Sequence, residues 1–342
     1  MTDKQEILRE YSMTASESFI PPGPLNTAVL FLVFNRPDVT AQVFEAIRKA
    51  RPPRLYVAAD GPRAGREGEA ERCAQVRRIA TAVDWPCEVK TLFREENVGC
   101  QFGPRGGIDW FFSNEKQGII LEDDCLPSQS FFWFCQEMLV RFQENEDVMS
   151  VTGTNITMGL NFEGDYLFSK YSLMWGWASW SRAWSKYDSE LDNWDFLRRD
   201  GWLKRLGLGG LLFEYNWRRI FDETVHLREK ATWWDYQWIY SCWVNNGLTV
   251  VPSKNLIRNI GFSNDATHTT GYHPILANLE LNDLEWPLNH TIDTEPNSAV
   301  DAFISKHWFG INSTSALKRL ILRMPLATKL NNIRKKLSEK NN

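Results

Sequence analysis

The chain has 342 residues, 43% of them hydrophobic, and a formal charge of −4 at pH 7. That apolar content suffices for a substantial core, and the small net charge excludes a general electrostatic nucleic-acid binder. No stretch approaches the roughly 20 apolar residues of a membrane span, and residues 1–26 are polar. The six cysteines (Cys73, Cys87, Cys100, Cys125, Cys135, Cys242) lack the spacing of a zinc site, so a reduced, cytoplasmic globular protein is expected.

In chain order, "AVLFLVF" (Ala28 to Phe34) is a continuous apolar run of strand length, as in a strand buried on both faces. After "NRP", Val39, Val43, Phe44 and Ile47 share one helical face, with Asp38 as the expected N-cap. "RLYVAAD" is a second strand ending in "DGPR". A polar helix is expected from Glu69 to about Ala82, and "CEVKTLF" is a third strand. A glycine-containing loop, a helix through Ile108 to Phe112 and a fourth strand, "GIILED", follow. This alternation predicts an open, mostly parallel α/β sheet flanked by helices, whose ligands bind at the carboxyl ends of the strands. Asn35 and Arg36, Asp60 and Gly61, residues 97–105, and Glu122 to Asp124 stand at those ends and are expected to converge.

Three consecutive carboxylates at a strand end suit a hard divalent cation, Mg²⁺ or Mn²⁺, that completes its shell with water and substrate phosphates. The competing reading is acids capping the following helix. Neither a P-loop nor a Gly-x-Gly-x-x-Gly turn is present, since the first turn reads "FNRPDV". That excludes the usual routes to P-loop NTPases and dinucleotide enzymes.

These residues resemble the GT-A glycosyltransferases, in particular the N-acetylglucosaminyltransferase I group and its family 2-like bacterial relatives. The resemblance runs from about Val29 to His268. "NR" and "DG" match residues that hold the nucleoside, and "EDD" is a variant of the DxD motif. "WGWASWSRAW" is similar to the segment beneath the donor sugar, "WWDYQW" to the stretch bearing the catalytic base, and "GFSNDATH" to a late loop. "WWDYQW" departs from the pattern in having one acid where the relatives have two.

The resemblance implies a GT-A fold with a nucleotide-sugar-binding half over 27–155 and an acceptor or catalytic half over 156–312, preceded by the extension 1–26. It implies a Mn²⁺- or Mg²⁺-dependent hexosyl- or N-acetylhexosaminyltransferase that moves a sugar from a nucleotide donor, a UDP-sugar first, to a glycan or lipid-linked acceptor in polysaccharide biosynthesis. Asp235 is the expected base of an inverting reaction; a helix-capping acid is the alternative. Asn35, Arg36, Asp60, Gly61, Arg105, Glu122, Asp123 and Trp177 are the expected donor contacts, and Asp124 with His268 the metal ligands. For Arg105 an exposed arginine in a glycine-rich turn, and for Trp175, Trp177 and Trp180 a core role, remain open beside the donor role.

From Ser313 to Asn342 eight Lys or Arg face a single acid, Glu339, so this tail carries +7 and the remainder of the chain −11. Leu326, Leu330, Ile333 and Leu337 fall at helical spacing. Two readings stand: a basic amphipathic segment for an anionic membrane surface, and a solvated terminal helix. A retaining transferase and a non-catalytic membrane-binding protein acting through this tail are the alternatives to the main reading.

Overall fold

The structure, a computed structural model, describes residues 19–157, 160, 163–261, 276, 279–290 and 294–311. The strands are β1 (Val29–Val33), β2 (Arg54–Ala59), β3 (Glu88–Phe93), β4 (Gln117–Glu122), β5 (Cys125–Pro127), β6 (Val148–Thr152), β7 (Tyr166–Ser169), β8 (Trp177–Trp180), β9 (Leu248–Pro252) and β10 (Ile257–Asn259). The helices are α1 (Pro37–Ala50), α2 (Glu69–Ala80), α3 (Gly99–Asn114), α4 (Gln129–Arg141), α5 (Ser181–Trp184), α6 (Trp194–Arg199), α7 (Trp202–Arg205), α8 (Leu211–Leu227), α9 (Asp235–Val244) and α10 (Ser298–His307).

Eight strands form one sheet in the order β3-β2-β1-β4-β8-β6-β9-β7, and β5 with β10 forms a separate antiparallel ribbon. β3, β2, β1 and β4 are parallel, as is the β6–β9 pair, whereas β8 and β7 run antiparallel to their neighbours. Successive side chains of a strand point to opposite faces, and the two cores divide accordingly. Val29, Phe31 and Val33 join α1, α2 and α4 on one face. Leu30 and Leu32 join α3, α8 and α9 on the other. A strand covered on both sides favours apolar residues on both faces, which explains "AVLFLVF". β3 is an edge strand, and its mostly exposed, charge-bearing pattern guards that edge.

Three boundaries differ from the sequence expectation in ways that bear on the site. α1 starts at Pro37, with Arg36 in the cap position and Asp38 inside the first turn; proline's fixed φ suits the first helical residue. The Arg36 carbonyl accepts from the Thr40 amide (3.1 Å) and hydroxyl (2.7 Å). Second, α3 begins at Gly99, so "GPRGG" is helical and not a turn. Its glycines admit close packing: a Cβ on Gly107 would lie 2.7 Å from Leu32 Cδ2 and 3.0 Å from Ala58 Cβ. Third, α2 ends at Ala80, short of Ala82.

Among the described residues no helix is long and apolar enough to cross a membrane. The tail 313–342 lies outside the described residues.

Candidate active site

In this sheet the chain winds from β1 outward to β3 and then returns to place β4 on the other side of β1. The crevice outside the carboxyl ends of β1 and β4 is therefore the switch point at which ligands of open α/β sheets bind. Arg36 leaves the end of β1, and Glu122, Asp123 and Asp124 leave the end of β4. The Arg36 guanidinium meets both aspartates: Nη2 donates to Asp124 Oδ2 at 3.0 Å and pairs closely with Asp123 Oδ1.

Burial opposes the Arg36 charge, but the charges of Asp123 and Asp124 overcome it and raise its pKa. Burial likewise pushes Asp123 and Glu122 upward. Arg36 counters the rise at Asp123, while the neighbouring aspartates add to it at Glu122. Asp123 is only 4% exposed, and its Oδ2 is buried with no hydrogen-bond partner.

The β5–β10 ribbon closes one side of this pair. The Ile260 amide donates to the Asp124 carbonyl (2.8 Å), and the Gly261 amide to Asn259 Oδ1 (2.8 Å). A Cβ on Gly261 would collide with the Asp124 carboxylate and stand 2.7 Å from Arg36 Nη1. Gly261 opens the "GFSNDATH" stretch; His268 and the rest of that loop lie outside the described residues.

Beside Arg36, Asn35 Nδ2 donates to Glu69 Oε1 (2.9 Å). Glu69 is fully buried and also accepts from the Arg63 amide (2.6 Å) and Nη2 (2.5 Å). These bonds, with burial opposing them, hold the Glu69 carboxyl down at about 2. Neither Glu69 nor Arg63 was a candidate from the sequence: Glu69 reads as one of several acids opening a polar helix, and nothing local marks it as buried.

Asp60, expected to contact the nucleoside, has its carboxylate engaged by the chain itself. It accepts from the amides of Gly61 (3.0 Å), Val98 (3.1 Å) and Gly99 (3.0 Å) and from Asn97 Nδ2 (3.0 Å). It thus caps the amino end of α3 from a distant strand, satisfying amides that a helix start leaves unpaired. At Gly61 a Cβ would run into the backbone of Glu95 and Glu96, so glycine there lets the β2 end approach that loop.

Arg105 lies on α3, with its guanidinium 5.6 Å from the Tyr187 ring centroid and Nε 3.6 Å from Asp109 Oδ2. Asp235 is the first residue of α9 and half-buried, directly after the buried Trp234. Its charge contributes to raising Glu122, which places the two acids in one electrostatic neighbourhood. Buried Gln101 on α3 supports the approach to Asp235. With its amide in the satisfied orientation it donates to the Ala231 (2.9 Å) and Glu229 (3.2 Å) carbonyls.

The tryptophan-rich segment is mostly core. Trp177 is fully buried because β8 lies inside the sheet between β4 and β6, and its ring packs on Trp184, Trp234 and Trp238. It backs the wall behind Trp234 and is not exposed to a sugar in this structure; Trp180 is also buried, and Trp175 packs on Trp308. The intervening Gly176 has φ +59°, and a Cβ there would strike Ile257, so this glycine serves the turn into β8.

Among the described residues no group of three or more His, Cys, Asp or Glu side chains is arranged to hold a metal ion. The donor chemistry of Asp123 and Asp124 nonetheless fits a hard cation that takes few protein ligands, and the partnerless Asp123 Oδ2 is a free acceptor of that kind.

No protein-family model matches the chain. No curated protein matches it either. Solved structures with loose similarity include Staphylococcus aureus TarS residues 1–349 (TM-score 0.36, 10% identity), covering 68% of this chain and 59% of that one. The galactosyltransferase LgtC in complex with donor and acceptor sugar analogues is another (TM-score 0.33, 12% identity, 66% and 72% covered). Mouse xyloside xylosyltransferase 1 is a third (TM-score 0.27, 10% identity, 64% and 80% covered). The chain thus spans under two thirds of the TarS structure that it resembles.

Proposed function

We propose that the chain is a glycosyltransferase of the GT-A type that uses a nucleotide-diphosphate sugar. The observation that carries this reading is the meeting of Arg36, Asp123 and Asp124 at the β1–β4 switch point, where a cation and carboxylates stand ready for a diphosphate and its counter-ion. The motif resemblance supplies the sugar chemistry, with a UDP-sugar as the first donor to try and a glycan or lipid-linked acceptor.

Asp124 and Asp123 would hold Mn²⁺ or Mg²⁺, with His268 as a further ligand from the late loop. When bound, the cation neutralises charge developing on the leaving diphosphate. Arg36 offers guanidinium donors to phosphate oxygens, and Asn35, held by Glu69, lines the same edge. Asp235 takes the acceptor hydroxyl proton on the face opposite the leaving group, as inversion requires. Its place at the start of α9, in the same electrostatic neighbourhood as Glu122, supports that assignment.

The test is release of nucleoside diphosphate from a panel of nucleotide sugars, with and without Mn²⁺, followed by NMR of the product's anomeric configuration. Inverted product from at least one donor is expected. Retained configuration would remove Asp235 from the base role, and no release from any donor would contradict the reading.

A further inference from the structure

The carboxylate pair that would receive a cation already has one from within the chain. Arg36 Nη2 bridges Asp123 Oδ1 and Asp124 Oδ2, and Gly261 lies against the bridge so closely that a single methyl group there would push into both Asp124 and Arg36. The bridge is well anchored at its base. The Arg36 carbonyl receives two hydrogen bonds from Thr40, and the Asp124 carbonyl receives one from Ile260. The guanidinium itself sits at the end of a long, rotatable side chain that is partly exposed, so it can leave without disturbing either strand.

We propose that Arg36 is an internal counter-cation that holds the Asp123–Asp124 pair closed until donor and metal arrive together, and is then handed to the donor's diphosphate. The inference rests on the reading of this crevice as a cation and diphosphate site. Divalent cation alone must displace a guanidinium from two carboxylates and binds weakly. Diphosphate offers that guanidinium an alternative partner with matching bidentate geometry, which releases the carboxylates. Cation and diphosphate therefore favour each other beyond their direct attraction, and by reciprocity each raises the other's affinity by the same factor. The arrangement suppresses futile occupation of the site by free metal and makes binding of the loaded donor the event that opens it.

The experiment measures Mn²⁺ binding by the free-ion EPR signal, without nucleotide, for the wild type, Arg36→Gln and Arg36→Lys, then repeats it with inorganic pyrophosphate as the probe. Removing a cation in contact with both carboxylates is expected to tighten Mn²⁺ binding about tenfold or more in Arg36→Gln. The coupling between Mn²⁺ and pyrophosphate is expected to fall several-fold in the same variant, because only the direct attraction remains. Arg36→Lys keeps the charge but loses the fork and should lie between the two; it carries the test alone if Arg36→Gln does not fold. Mn²⁺ binding that is unchanged or weaker in these variants, absent from all of them, or coupled to pyrophosphate as strongly as in the wild type overturns the proposal. No sugar transfer is read at any point. A chain that shows the predicted coupling yet transfers no sugar would leave this inference standing while removing the transferase reading.

Discussion

Asn35, at the carboxyl end of β1, donates its amide to the buried carboxylate of Glu69 at 2.9 Å, and so the first turn of the crevice is tied to the start of α2. Arg63 completes the same carboxylate through its amide and guanidinium. The lip of the candidate site is therefore a stability element.

Its pH response follows from the sign of the Glu69 shift. The carboxyl is held at about 2 in the folded chain, below the 4.5 of a free glutamate. Its contribution is therefore fully present above about pH 4.5 and is lost as pH falls toward 2. Glu69→Gln should cost about 2 kcal/mol at pH 7, the scale of hydrogen bonds to a charged group, and should flatten the acid limb of Tm against pH. Parallel melting curves from pH 7 to 3 check this; equal acid slopes in the two proteins would contradict it.

Asp60 is engaged by three backbone amides and the Asn97 side chain. Asp60→Ala should destabilise the chain by about 1–3 kcal/mol through the uncapped α3 end, a loss visible in denaturant midpoint before any ligand is added. An Asp60 that acts only on a nucleoside would leave the midpoint where it is.

Adjacent glycines of α3 give opposite expectations. Gly107→Ala drives a methyl into Leu32 and Ala58, an overpacking cost of about 1–3 kcal/mol that outweighs the gain of about 1 kcal/mol from better helix propensity. At Gly106 the methyl would meet the end of the flexible Arg94 side chain, which can move. Gly106→Ala should be neutral or stabilising, and thermal melts of the two variants side by side test the packing of α3 on the sheet.

For Asp235 the expectation is functional. Asp235→Asn should lower transfer at least 10²-fold, the usual contribution of a positioned base, with Tm within a degree or two of the wild type. Full turnover in a normally folded variant would end the base assignment.

Much of the fold was legible because strands buried on both faces are apolar along most of their length, and β1, β2 and β4 announce themselves in that way. The ends of those strands were legible too, since polar residues follow the apolar runs, and Arg36, Asp123 and Asp124 do meet there. What could not be read are partnerships across long separations. Arg36 and Asp123 are 87 positions apart, and Asp60 and Gly99 are 39 apart. The sequence pointed to a divalent cation for the acidic triplet but gave no sign that Arg36 would pair with two of its carboxylates. "GPRGG" read as a turn because local propensity disfavours helix there, yet the close seat of Gly107 on Leu32 and Ala58 overrides it. Trp177 read equally as sugar platform or core, and only its place on an interior strand decides that it is buried.

The crevice between β1 and β4 is proposed to take a nucleotide-sugar diphosphate together with a divalent cation held by Asp124. A thermal-shift panel of nucleotide sugars with and without Mn²⁺, on the wild type and Asp124→Ala, tests it most directly. A Mn²⁺-dependent rise in Tm for at least one donor, abolished by Asp124→Ala, is the predicted result. No Mn²⁺-dependent shift for any donor, or a shift that survives Asp124→Ala, would contradict it.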